Sequence, residues 1–421
     1  MRILKDIVEQ NSSKLQNLLK RGGLLLLLGT LTAIAPISTD IYLPSFPFIT
    51  EEFKTIPSKT QLSLTAGLIG LAFGQLFFGP ISDIYGRKKP LMIAMIIYAI
   101  ASFLCGIATS IWMFIFFRLL QGLAGAGGVV IARACVRDLY SGSQLTKIYA
   151  IMMLVVGIAP IVAPVIGGQL LLLIPWNGIF IILSILGVVL LFAVLFALSE
   201  TLGKEKRLKG GLKNTFTTFL SLIRHRIFIG YALTQGLIFA SMFAYISGSS
   251  FVYQDIFGVS PQVYSFLFGL NAIGLMTATQ ITGRLAGKIS ESKLLVFGLG
   301  YALIGGISLL ISVLTEAGIV AVAISLFVCI SAVGIVSTTC FTLAMESQGG
   351  KAGSASALLG LMQFTIGGLI APIVGIAGSQ TALPMGIAIV LCETLAIIFY
   401  ITLVHRGKAH HIDVEKEKLS I

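Results

Sequence analysis

The stretch GPISDIYGRKK, residues 79–89, joins two long apolar segments through a short loop with one acidic and three basic residues. The apolar segments on either side, near 61–82 and 91–109, are each long enough as a helix to cross the roughly 30 Å hydrocarbon core of a bilayer. Gly86 permits a tight turn between them, and Lys and Arg in short loops mark the cytoplasmic side. The stretch therefore predicts two antiparallel transmembrane helices joined at the cytoplasmic face.

The same pattern extends over the whole chain. Of 421 residues, 56% are hydrophobic and 11% are charged, well below the roughly 25% charged residues of soluble domains. Predicted spans lie near 24–44, 61–82, 91–109, 111–132, 148–173, 177–198, 227–251, 262–282, 294–314, 317–341, 354–378 and 383–404. The sequence thus predicts an all-α integral membrane protein with twelve transmembrane helices.

Loop charges predict the topology and the domain boundaries. With the N-terminus inside, 26 of the 29 Lys and Arg residues fall in cytoplasmic segments, two fall outside, and Arg118 lies within a span. The basic residues therefore anchor loops and form no nucleic-acid patch. The predicted segments are an N-tail (1–23), a six-helix bundle (24–199), a linker (200–226), a second six-helix bundle (227–404) and a C-tail (405–421).

Two similar motifs indicate an internal repeat. The string VAPVIG at 162–167 returns as IAPIVG at 370–375, 208 residues later, and the loop at 79–89 has a degraded counterpart between Gly283 and Lys293. Parallel repeats of six spans, related by an axis along the membrane normal, are a known transporter architecture. Chance similarity between apolar strings is the alternative. The spacing and the central linker favour two pseudo-symmetric bundles.

The loop motif resembles a known family signature. Gly79, Asp83, Gly86 and Arg87 have the spacing of the loop between spans two and three in the major facilitator superfamily. Topology anchoring alone explains the basic residues but not the two glycines and the aspartate. The resemblance implies that these residues, together with Asp138, form a conformational latch at the cytoplasmic face that assembles when the transporter is open to the outside.

Three further motifs resemble one subgroup of that superfamily. RLLQG at 118–122 is similar to a signature of proton-coupled members, although Ala124 replaces a usual glycine. The fifth span resembles the exporter signature, with Ala163 for a glycine; its motif residues are Gly157, Pro160, Pro164, Gly167 and Gly168. DIYLPSFP at 40–47 and ARACVRDLY at 132–140 look like the bicyclomycin-resistance drug:proton antiporters.

Ionisable residues within the spans are the candidates for chemistry, because a charge at membrane depth is costly. At 1.5 Å per residue, Asp40 and Arg118 both lie roughly 6–10 Å below the outer boundary. They could meet and couple protons, or they could face separate crevices. Glu393 lies near the middle of the twelfth span, where it either contacts substrate in the cavity or has a structural role. Tyr42 and Gln121 are the other cavity candidates.

These features predict a secondary transporter of a bacterial cytoplasmic membrane with both termini in the cytoplasm. The resemblance implies proton-coupled efflux of drugs or small amphipathic molecules by a monomer, and a proton-linked nutrient importer is the alternative. An intramembrane enzyme is disfavoured, because the spans hold no HExxH, paired aspartates or GxSxG motif. The expected partners are the substrate, protons and lipid, without a cofactor or metal, and the five cysteines are expected as free thiols.

Overall fold

The computed structural model describes residues 22–207, 220–346, 348 and 352–405, and this part of the chain is helical. The predicted tails and linker fall partly outside the described residues, at 1–21, 208–219 and 406–421. Twelve long helices follow one another: α1 (Gly22–Glu52), α2 (Pro57–Tyr85), α3 (Lys88–Gly106), α4 (Ile111–Leu139), α5 (Gly142–Leu170), α6 (Trp176–Ala197), α7 (Arg226–Phe251), α8 (Pro261–Leu285), α9 (Glu291–Leu314), α10 (Gly318–Met345), α11 (Ala352–Val374) and α12 (Leu383–Phe399).

Helices of the predicted number and type are present, with two differences from the sequence-based spans. Eleven of these helices are long and apolar enough to cross a membrane, and α8 has a similar length but a more polar composition. Polar α8 residues such as Thr279 and Gln280 face an internal cavity, which explains that composition. The first span was predicted to end at 44, but α1 continues through a short 3-10 turn to Glu52, because prolines are tolerated in the first turn of a helical segment.

The helices pack as two halves, α1–α6 and α7–α12. Within the halves the extensive contacts include those of α2 with α4 and of α9 with α10, whereas α2–α11 and α5–α8 join the halves. The α2–α4 contact requires glycine: a Cβ at Gly122 would overlap the backbone carbonyl of Gly67. Small residues at such crossings are how membrane helices approach closely.

The two ends of the molecule differ. We call the end that carries Arg87 and Glu200 the linker end, and the opposite end, with Ser58 and Gly168, the far end. At the far end the halves touch: Ser58 Oγ donates to the Pro372 carbonyl at 2.7 Å, and Gln262 Nε2 donates to the Gly168 carbonyl at 2.7 Å. The structure is therefore closed at the far end, and its central cavity reaches the linker end.

Candidate functional site

A cavity of about 1240 Å³ lies between the two halves. Its wall is rich in aromatic, methionine and glutamine side chains contributed by both halves, including Gln75, Gln235, Phe239, Met242, Phe243, Tyr245, Phe268, Met276, Gln280, Gln363 and Phe364. Flexible methionines and aromatic rings adapt to irregular apolar ligands, while amides can orient polar groups. The cavity therefore suits a small amphipathic molecule.

Asp40 is the candidate proton site on this wall. It lies in the last turn of the long α-helical part of α1 and is 6% exposed. The only other carboxylate among the described lining residues, Asp83, is paired with Arg87 near the linker end. Asp40 has no ion-pair partner within 4.0 Å among the described residues, so no neighbouring cation fixes its protonation state in this conformation.

Arg118 is buried behind the cavity, inside the first half. Its Nη1 donates to the carbonyl of Ser38 at 3.3 Å and to the side-chain oxygen of Gln121, whose amide donates to Ser102 Oγ at 2.7 Å. The guanidinium carbon lies 4.3 Å from the ring centre of Tyr42, a cation–π distance. Nε and Nη2 have no hydrogen-bond partner, so a buried cation retains unused donors.

The predicted meeting of Asp40 and Arg118 is not present in this conformation. Arg118 reaches α1 at the Ser38 carbonyl, two residues before Asp40, and makes no ion pair with Asp40. The sequence predicts a similar depth for the two residues, but depth does not determine the direction in which a side chain points from its helix. Any exchange between the two residues therefore requires another conformation.

The three predicted substrate-cavity candidates are not on the cavity wall, which corrects that expectation. Tyr42 packs among the rings of Phe46, Phe114 and Phe180, and its hydroxyl lies 3.2 Å from Ser63 Oγ. Gln121 is held by Arg118 and Ser102. Glu393 is 1% exposed and lies between helices of the second half.

The charge cluster predicted from the loop motif is assembled. Arg87 Nη1 lies 2.5 Å from Asp83 Oδ1, and its Nε lies 2.8 Å from Asp138 Oδ2. Burial lowers the pKa of the Arg87 guanidinium, but the bonds to Asp138 and Asp83 outweigh burial, and the pKa lies above its ordinary value. Gly86 turns the chain at φ +90, where a side chain would be strained and would overlap Glu200.

Glu200, which was expected only as the first residue of the linker, is a further member of this cluster. Its Oε1 accepts from the backbone N–H of Arg87 at 2.8 Å, and its Oε2 lies 3.8 Å from Arg207. Burial raises the pKa of Glu200, yet backbone donors at Arg87, Leu202 and Lys88 and the charge of Arg207 bring it below its ordinary value. The sequence contained a signal for this role: Glu200 is a single acid at the end of an apolar span, on the same predicted side as the basic loop at Arg87.

The cluster was predicted for the state that is open to the outside, and its role as a latch stays a prediction. In this structure, which is closed at the far end and open at the linker end, its ion pairs are complete. Asp83, Arg87, Asp138 and Glu200 all belong to the first half or to its end. Their mutual contacts therefore tie α2, α4 and the end of α6 together and do not bridge the two halves.

The proline and glycine motif of the fifth span lies where α5 meets its neighbours. Pro160 and Gly157 line the cavity, and Pro164 is inside the helix. A Cβ at Gly168 would approach the Pro261 carbonyl of α8 to 3.0 Å, and one at Gly167 would overlap the Ile41 carbonyl of α1. At the far end this span therefore packs closely against α8 of the other half.

In the described part of the chain, twelve long helices in two halves enclose a central cavity, an arrangement typical of membrane transporters. The sequence profile of the Major Facilitator Superfamily matches residues 28–372, and the chain belongs to that superfamily. It is 43% identical over 369 residues to the uncharacterized MFS-type transporter YdgK of Bacillus subtilis, covering 87% of this chain and 92% of that protein. It is 31% identical over 383 residues to the bicyclomycin resistance protein homolog of Haemophilus influenzae, covering 91% and 96%.

A more distant relative and two solved structures agree with this assignment. The multidrug resistance protein MdtL of Salmonella heidelberg is 26% identical over 399 residues, covering 93% of this chain and 98% of that protein. An inward-facing bacterial homolog of the human lysosomal transporter Spinster has a TM-score of 0.74 at 16% identity, covering 92% and 97%. The partially occluded, inward-open xylose transporter XylE of E. coli has a TM-score of 0.70 at 14% identity, covering 91% and 97%.

Proposed function

We propose that this transporter exports small amphipathic molecules, including antibiotics, in exchange for protons. The observation that carries the proposal is the cavity: an aromatic and methionine-rich wall with Asp40 as its unpaired carboxylate. Relatives named for bicyclomycin and multidrug resistance support the substrate class.

We further propose that the linker end faces the cytoplasm of a bacterium, which makes the present conformation inward-open. The support is the distribution of Lys and Arg, 26 of which fall in the segments that the sequence predicts to be cytoplasmic. An impermeant thiol reagent added to intact cells should then label a cysteine placed at exposed Ile56, at the far end, and spare one at Lys204. The reverse labelling would invert the orientation.

Proton exchange at Asp40 would drive transport. In the inward-open state Asp40 loses its proton to the cytoplasm, and the carboxylate helps to orient an incoming substrate. After the switch to the outward-open state, a proton from outside neutralises Asp40 and weakens binding, so that the substrate leaves. Each proton moving inward supplies about 2.3 kcal/mol per 100 mV of membrane potential.

Arg118 would set the proton affinity of Asp40. A guanidinium favours the ionised form of a carboxyl group, whereas burial favours the neutral form. In the present conformation Arg118 is held by the Ser38 carbonyl, and its Nε and Nη2 remain free of hydrogen bonds. These free donors would turn to the ionised Asp40 in another state.

A proton-linked nutrient importer is the second candidate. A xylose transporter and a nucleoside transporter share the fold, at 14% identity each, and the amides of Gln75, Gln235 and Gln363 could bind a polar solute. The direction of proton-driven transport separates the two functions. An exporter accumulates substrate in inverted vesicles with an acidic interior, and an importer of the symporter type does not.

The decisive experiment replaces Asp40 in that vesicle assay, with a panel of antibiotics and amino acids. Asp40→Asn should abolish accumulation driven by the pH gradient while retaining exchange of substrate for substrate. Asp255→Asn, which removes an exposed carboxylate outside the cavity, is the matched control and should transport as the wild type does. Undiminished uphill export by Asp40→Asn would remove Asp40 from the coupling mechanism.

A further inference from the structure

A second carboxyl group within the spans is not used by the proposed mechanism. Glu393 lies on α12, is 1% exposed and is absent from the wall of the central cavity. Neither of its carboxyl oxygens has a hydrogen-bond partner, although both are inaccessible to solvent. Buried polar groups are nearly always hydrogen-bonded, so this side chain needs an explanation.

A pair of glycines on α9 creates the space for this carboxyl group. A Cβ at Gly306 would overlap Glu393 Oε2, and a Cβ at Gly305 would lie 2.8 Å from the backbone nitrogen of Cys329 on α10. Because both positions are glycine, α10 and α12 can both approach α9. The Glu393 carboxyl group therefore occupies a seam between α9, α10 and α12. The close packing of these helices fixes its position.

Among the described residues, no cation in this seam compensates a negative charge. The titratable side chains that the charge of Glu393 would reach are the thiols of Cys329, on α10, and Cys392, on α12 itself. Glu393 forms no ion pair with a Lys, Arg or His in the part of the chain that the structure describes. An isolated carboxylate in an apolar interior is so costly that such a group neutralises instead.

We propose that Glu393 is a second proton-binding site of this transporter, occupied by a proton in the present conformation and separate from Asp40. Helix α10 contacts both regions, because it contributes Cys329 to the seam and Ile330 and Val333 to the cavity wall. Ionisation of Glu393 would require water or a cation to enter the seam. This entry would displace α10, which also lines the cavity.

Infrared spectroscopy of the full-length protein in lipid tests the proposal through the C=O stretch of protonated carboxyl groups. At neutral pH the wild type should show such a band, and the Glu393→Gln variant should lose it. The Asp40→Asn and Glu316→Gln variants should retain the band. Glu316, an exposed acid just after the C-terminus of α9, is the control. A spectrum unchanged by Glu393→Gln, or a band lost only with Asp40→Asn, would overturn the proposal.

A second measurement needs no variant. Dicyclohexylcarbodiimide reacts with a protonated carboxyl group: the acid proton moves to a carbodiimide nitrogen, the carboxylate oxygen bonds to the central carbon, and acyl migration gives a stable N-acylurea without loss of atoms. Mass spectrometry of the wild type should find this adduct at Glu393 and not at Glu316. Glu316 modified in preference to Glu393 would contradict a protonated buried acid.

Discussion

The far end and the linker end of this transporter are stabilised by different kinds of contact. At the far end the two halves meet through small residues and neutral hydrogen bonds, such as Ser250 Oγ to the Leu43 carbonyl at 2.8 Å. At the linker end the strong contacts are ionic, and they join helices of a single half around Arg87.

This difference has a mechanistic consequence. Neutral contacts between the halves can separate without exposing a charge to an apolar surrounding, so the far end can open at a modest cost. Ionic contacts within one half do not have to break when the halves move. We therefore interpret the far end as the gate and the Arg87 cluster as the bracing of the first half, while the latch role implied by the family resemblance stays a prediction.

The largest expected effect is the loss of Arg87. Arg87→Ala would leave the carboxylates of Asp83 and Asp138 without their cation, and breaking a buried ion pair costs about 3–5 kcal/mol. We expect a large drop in the thermal unfolding temperature of the purified protein. The exposed Lys89→Ala, two residues away, is the control and should unfold as the wild type does.

A second measurement, the balance of inward-open and outward-open states, distinguishes a cluster that only stabilises the first half from one that acts as a latch. If the cluster only braces the first half, Asp83→Asn lowers stability but leaves the balance of inward-open and outward-open states unchanged. Distances between spin labels across the far end report that balance. A shifted balance at unchanged stability would favour the latch.

An intermediate effect is expected where the halves touch at the far end. A Cβ at Gly375 would lie 2.6 Å from the backbone nitrogen of Ser58, so Gly375→Ala should prevent close contact of α11 with α2. Overpacking of this kind costs about 1–3 kcal/mol. Because only the closed far end is affected, the variant should favour the outward-open state and slow transport.

Thiol accessibility measures this shift. A cysteine at Ser247, which is buried at the far end and accepts a hydrogen bond from Gln61 at its carbonyl, should react slowly with an impermeant reagent in the wild type and quickly in the Gly375→Ala background. Gly283→Ala is the matched control, because a Cβ there meets nothing within 4 Å. Equal rates of thiol reaction in the wild-type and Gly375→Ala backgrounds would show that Gly375 does not control opening of the far end.

Much of this architecture was predictable from the sequence because hydropathy and loop charge act along the chain. Span positions follow from local hydropathy, and the ion pairs of Arg87 with Asp83 and Asp138 agree with what the family resemblance implies. Position along the chain is equally local, and Asp40 and Glu393 both lie within the long helices α1 and α12.

Direction around a helix axis was not predictable in the same way. An apolar span carries little amphipathic signal, because lipid and protein interior are both apolar, so the sequence does not say which face meets the cavity. Glu393 turns towards Gly306 on α9, and Arg118 turns towards Ser38, for reasons that exist only in the packed structure. Glu200 likewise joins Arg87 from 113 residues away.

The smallest expected effect concerns Glu200, and it tests whether the bracing of the first half extends to the end of α6. Glu200→Gln keeps the shape of the side chain but removes the charge that accepts from the Arg87 backbone and faces Arg207, so we expect a loss of about 1 kcal/mol at neutral pH. The pKa of Glu200 lies below its ordinary value of 4.5, so the charge contributes fully above that value and is lost as the pH falls through the lowered pKa. The difference in unfolding temperature between wild type and Glu200→Gln should therefore be constant from neutral pH down to about pH 5 and shrink below it. Glu205→Gln, at an exposed position of the same segment, should show no difference at any pH, and a Glu200 effect that ignores pH would mean that shape alone, not charge, joins α6 to the Arg87 cluster.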